Sequence, residues 1–189
     1  MNRQAQKGFT LIEALIAMVV LAIGLLGVAK LQSSTRQFEM ESYQRAQAVI
    51  LLQDMAGRLA ANRAAAQCYA VTTNTTAGSP WVGTGYSSTP ACTVGTINQQ
   101  NTAVADLTEW DRQLKGASET AGGTSVGAMI GARGCITYDA TNDYYLISIA
   151  WQGLMQTGVP AGLTCAKDQF GQDTQRRVVS TIVRFGVLT

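Results

Sequence analysis

The chain contains no histidine. That absence removes the usual general base of serine and cysteine hydrolases and the commonest metal ligand. Its four cysteines, Cys68, Cys92, Cys135 and Cys165, include no C-x-x-C pair. Zinc therefore lacks both of its ordinary ligand patterns, and no metal is expected. No Gly-Lys-Ser/Thr follows the glycine-rich stretch 122–134, and Gly83-Thr84-Gly85 lacks the third glycine of a dinucleotide fingerprint. Both read as turns rather than phosphate cradles, and no cofactor is expected. The serines have no nucleophile-elbow context. Asp139 and Asp143 flank a turn and read as Asx chemistry, with too few ligands for calcium. Charged residues are scarce at 14%, and Arg176-Arg177 is the only adjacent basic pair. A nucleic-acid surface needs clustered cations, so direct DNA or RNA binding is not expected. These absences exclude the common enzyme chemistries.

What is present is an apolar run. Residues 9–29 are twenty-one positions with one charge, Glu13, and Arg3 and Lys7 stand just ahead of them. At ~1.5 Å per residue such a helix is about 31 Å long, enough to cross a bilayer's hydrocarbon core. The basic flank places the N-terminus in the cytoplasm and the rest of the chain beyond the inner membrane. No small-residue cleavage site closes the run before Lys30, unlike a secretory signal. Glu13 is the anomaly, because a carboxylate in a membrane helix costs about 2.5–3.5 kcal/mol at mid-depth and asks for a partner.

Lys7-Gly8-Phe9-Thr10-Leu11-Ile12-Glu13, directly ahead of an apolar helix, resembles the prepilin leader of type IV pilins and type II secretion pseudopilins. The resemblance implies cleavage between Gly8 and Phe9 by a prepilin peptidase, which also N-methylates Phe9. It implies that Glu13 neutralises the new terminal amine during assembly. In low dielectric each of those charges needs the other. With Arg3 and Lys7 removed, twelve cations face twelve acidic side chains.

Beyond the apolar run the helix is expected to continue to Arg63, because no proline and only Gly57 interrupt residues 30–63. Leu31, Phe38, Ala46, Val49, Leu52, Ala56 and Leu59 follow helical steps and predict one buried stripe. Gly24 and Gly27 read either as close packing of small residues or as a weak turn. The segment Gln47 to Arg63, ending Arg58-Leu59-Ala60-Ala61-Asn62-Arg63, is similar to the helix end of V-type minor pilins.

The four cysteines all fall in the part expected to lie outside, where an even number points to two disulfides. Three pairings exist. Cys68–Cys92 with Cys135–Cys165 is favoured because each closes one sequence-local block. Residues 67–102 read as a long loop, with Trp81 and Tyr86 covering the sheet and Asn74-Thr75-Thr76 a chance sequon. Val104–Lys115 reads as a short helix with Leu107, Trp110 and Leu114 in the core and Gly116 ending it. Strands are expected at 134–138, 144–152 and 177–187, with Tyr145, Ile147, Ile149 and Trp151 on one face.

The fold expectation is α+β: a long N-terminal helix on an antiparallel sheet of three to four strands, with disulfide-stapled loops. Its parts are a leader (1–8), a membrane or filament-core segment (9–29), an amphipathic outer half (30–63) and a periplasmic domain (64–189). The resemblance implies a non-enzymatic minor pilin of a type IV pilus, within a tip complex that primes assembly. Its implied partners are prepilin peptidase, other minor pilins, the major pilin, the inner membrane and a tip adhesin. A type II secretion pseudopilin is the alternative, and a DNA-uptake pilin a more distant one.

Overall fold

The computed structural model describes residues 9–86, 88, 90–117, 120–121, 124–125 and 129–186. The chain divides between Met40 and Glu41 into two compact units. The first contains the N-terminal part of α1, the helix Leu11–Ala61, and the second holds everything from Glu41 onward. No proline lies within the helix, and a Cβ added at Gly24, Gly27 or Gly57 would meet nothing within 4 Å. Close packing within the chain therefore does not explain these glycines, and the helix runs through them unbroken.

In the second unit α1 buries Gln44, Ala48, Leu52, Met55 and Leu59. This corrects the expected stripe. Leu52 and Leu59 belong to it, Val49 and Ala56 sit at its half-buried margins, and Ala46 is exposed. At ~100° per residue Ala46 points roughly 160° away from the stripe's centre, whereas Met55 lies close to it. Leu31 and Phe38 fall in the first unit and are exposed.

A short 3-10 helix, Arg63–Tyr69, follows α1. The second helix, α2 (Ile97–Leu114), begins seven residues earlier than expected. Its start is a capping box: Thr96 Oγ1 accepts from the Gln99 amide, and Gln99 Oε1 accepts from the Thr96 amide at 2.8 Å. Both residues were present in the supposed loop, so the start was legible as Thr-x-x-Gln. The end is as expected. Gly116 has φ +81°, its amide donates to the Gln113 carbonyl, and the Ala117 amide donates to that of Arg112. These two bonds make a Schellman motif.

The main sheet has the order β1-β4-β5-β6, all antiparallel, from Val82–Gly83, Ile130–Asp139, Tyr144–Gln152 and Arg176–Val183. A two-residue hairpin, β2 (Thr120–Ala121) with β3 (Thr124–Ser125), stands apart from it. Alternation along β5 sends Tyr145, Ile147, Ile149 and Trp151 into one core with Leu52, Met55 and Leu59 of α1 and Leu107, Trp110 and Leu114 of α2. Gly134 allows close packing of α2 on the sheet: a Cβ there would lie 2.3 Å from the Trp110 ring. The opposite face is also covered, by Cys165, Ala166 and Phe170 against Cys135 and Ala150, with Trp81 packed beside them. Both disulfides close, Cys68–Cys92 and Cys135–Cys165. The second ties that covering loop to β4. The architecture is α+β and type IV pilin-like.

Candidate functional site

The first unit offers the molecule's most unusual surface. Phe9, Leu11, Ile12, Ile16, Val20, Leu21, Ile23 and Leu26 are each more than half exposed, and the most apolar window of α1 is not buried at all. Exposed apolar area on this scale marks a surface that meets lipid or another protein. By length and composition this helix is able to cross a membrane.

Gly8 lies outside the described residues, so the structure starts at Phe9. Thr10 precedes the helix, and its Oγ1 accepts from the Glu13 amide at 3.4 Å. The Glu13 amide also donates to the Thr10 carbonyl at 3.1 Å. Glu13 is thus the third residue of the helix, opposite a threonine N-cap, where the helix dipole favours a negative charge. Thr10-x-x-Glu13 is a capping signature visible in the sequence itself. It gives Glu13 a local structural role alongside any role in assembly.

The outer end of α1 carries a second constellation. Arg58 Nε bonds Asp54 at 2.7 Å, and Arg58 Nη1 reaches Asp106 of α2 at 2.9 Å. The hydroxyl of buried Tyr69 donates to Asp106, and Asn62 Nδ2 reaches both Tyr69 Oη at 3.2 Å and the Gln99 carbonyl at 2.8 Å. Burial and the neighbouring carboxylate push the Tyr69 phenol well above its ordinary pKa, so it stays a donor. Arg58 and Asn62 therefore clasp α1 to the 3-10 helix and α2. The Ala61-Asn62-Arg63 end has this intrachain use, while Arg63 itself is exposed.

The basic pair is also used internally. Arg176 is buried, pairs with Asp173 and donates to the Leu163 and Cys165 carbonyls at 2.7 and 3.1 Å. Arg177 bonds Glu41 at 3.0 Å, and the same carboxylate accepts from the Leu154 and Met155 amides. Neither arginine is a free phosphate contact.

Asp139 closes the β4–β5 turn by accepting from the Asn142 side chain and from the Asn142 and Thr141 amides, and these bonds hold its pKa below the usual range. Asn74 of the sequon likewise accepts from the Thr76 and Ala77 amides. Among the described residues no group of three potential metal ligands occurs. A half-open groove of about 450 Å³ runs between Thr72–Gly78, the β4–β5 hairpin and the loop at Thr164. Thr72, Thr164 and Asp139 in its wall already bond to the chain itself. One serine, in Gly123-Thr124-Ser125-Val126-Gly127, does have the G-x-S-x-G spacing. Ser125 lies in the two-residue β3, the next described element is a strand, and the chain has no histidine to activate a serine.

In the comparisons with known proteins, the family described as the prokaryotic N-terminal methylation motif matches residues 3–29. The N-terminus is a type IV prepilin-like leader. No curated protein and no solved structure matches the chain. With the architecture described above, this leader supports a type IV pilin or pseudopilin, a structural and membrane-anchored protein that prepilin peptidase processes and that assembles with other pilins.

Proposed function

We propose that the chain is a minor pilin of a type IV pilus that joins a small complex priming assembly at the filament tip. The carrying observation is the methylation motif at 3–29, whose apolar helix leaves its most apolar window unburied among the described residues. In this reading residues 1–8 are removed on the cytoplasmic side, and Phe9 becomes the methylated N-terminus. Residues 9–29 then pass from the bilayer to the filament core. Glu13 pairs with the terminal amine of a neighbouring subunit as that transfer occurs. The domain beyond the membrane supplies specific contacts to other minor pilins, the major pilin or an adhesin, so the protein supports adhesion and twitching rather than catalysis. The V-type-like helix end supports the pilus over type II secretion. The internal use of Arg176 and Arg177 speaks against DNA capture.

The test compares three variants in cells, read by mass spectrometry and by the amount of chain in sheared filaments. Substitution of Gly8 leaves an unprocessed precursor. Glu13→Ala is processed normally but enters filaments at least tenfold less. Thr10→Val, which removes only the cap, retains most incorporation. Equal losses in Thr10→Val and Glu13→Ala would reduce Glu13 to a helix cap and remove the pairing role. Normal surface piliation after gene deletion would remove the priming role.

A further inference from the structure

Arg133 is placed unlike the other cations of the second unit. Arg58, Arg112, Lys115, Arg176 and Arg177 each have a carboxylate within 3.0 Å. Arg45, Arg63, Lys167 and Arg184 are exposed to water. Among the described residues Arg133 alone is both sheltered and without an acid partner.

Its shelter is built. Arg133 stands on β4 beside Gly83 of β1 and Ala150 of β5. Its guanidinium carbon lies 4.6 Å from the Phe170 ring centre and 5.2 Å from that of Trp81. Trp81 is itself fixed by an indole N–H donated to the Thr84 carbonyl at 2.9 Å. Nη1 donates to the Gly131 carbonyl at 3.1 Å, while Nε is buried with no acceptor. Two rings and one carbonyl thus set the plane and rotation of the fork, and its remaining donors are unused.

A partly desolvated guanidinium without an anion is costly, and burial alone lowers its affinity for the proton. A planar, pre-oriented fork is what a carboxylate binds best. Arginine beside tryptophan, with buried Phe170 as the apolar neighbour, is the composition of protein interface anchors.

We propose that Arg133, clamped between Trp81 and Phe170, receives an Asp or Glu carboxylate from a neighbouring protein subunit. This rests on the reading of the chain as a filament subunit. The carboxylate completes the ion pair that the domain lacks, and the rings exclude water from it.

The test uses the full-length chain in detergent micelles, so its failure is separate from failure of the filament reading. The probe is a tetraglutamate peptide, with tetraglutamine as control. The readout is the Arg133 Nε–H resonance, assigned by its loss in R133K. Tetraglutamate shifts the resonance saturably in the millimolar range, tetraglutamine does not, and R133Q weakens binding at least tenfold. No shift, an equal shift with tetraglutamine, or an equal shift with inorganic phosphate overturns the proposal. Because the wild-type resonance is read directly, the result stands even if R133Q fails to fold.

Discussion

One helix meets two fates along its length. Between Leu11 and Leu31 its large apolar side chains are all at least half exposed. Between Gln44 and Leu59 the same helix buries a single stripe and turns Arg45, Gln53 and Gly57 outward. Helical propensity does not separate the halves, since both are regular. Pattern does. The outer half alternates polar and apolar residues at helical spacing, which fixes one face against a core. The inner half is apolar all round, and a helix of that kind needs an apolar neighbour on every side. One half therefore packs into the domain, and the other leaves its apolar surface exposed.

The largest expected effect separates these halves directly. Leu59 is fully buried, so Leu59→Ala should lower the stability of the domain by about 2–5 kcal/mol. Leu21 is 66% exposed, and Leu21→Ala should leave the denaturation midpoint of the domain unchanged. Urea titration of the full-length chain followed by tryptophan fluorescence measures both. A comparable loss in the two variants would show that the inner half also supports the domain, and the comparison would fail.

The inner half was the more legible in sequence. Its message is composition, and composition needs no tertiary contact to be read. The β5 strand was legible for a similar reason: Tyr145, Ile147, Ile149 and Trp151 alternate cleanly. The outer half of α1 was read with the wrong centre. Polar Gln44 is buried there and apolar Ile50 is exposed, so the pattern requires one buried face but tertiary packing sets its centre. The N-terminal turns of α2, Thr96–Asn101, carry only one of the two usual signals: the capping box is present, but the apolar pattern that usually announces a helix is not. The clamp on Arg133 was not legible at all, because Trp81, Arg133 and Phe170 meet only once the covering loop is in place.

A second effect tests what holds that loop. The Cys135–Cys165 disulfide closes a separation of 30 residues and Cys68–Cys92 one of 24, so chain entropy assigns each about 3–4 kcal/mol. Cys135 and Cys165 are buried, whereas Cys68 and Cys92 are partly exposed. The double variant Cys135→Ala/Cys165→Ala should therefore lose at least as much stability as Cys68→Ala/Cys92→Ala. Neither should change the fraction of chain recovered in membranes, because both bonds lie outside the apolar half. Thermal melts and membrane fractionation of the two variants measure this, and loss of membrane retention in either would contradict the division of labour.

The smallest effect concerns pH. The Asp173 carboxyl sits below the ordinary carboxylate range because buried Arg176 hydrogen-bonds it and pairs with it, against an opposing push from burial. A carboxylate with a depressed folded-state pKa stabilises the fold fully above its unfolded value of about 4. That contribution fades as pH falls through the folded pKa. Asp173→Asn should therefore be less stable than the wild type at neutral pH and should lose less stability on acidification below about pH 4. Arg176 also anchors the Leu163 and Cys165 carbonyls, so the neutral-pH loss should appear as local opening of the covering loop, detectable by amide exchange at Ala166 and Lys167. Glu13 and Glu39 are the only acids in residues 9–40, and neither is near this loop in sequence. Parallel stability–pH curves for wild type and variant would mean that the Asp173–Arg176 pair orders the loop without contributing to the acid limb.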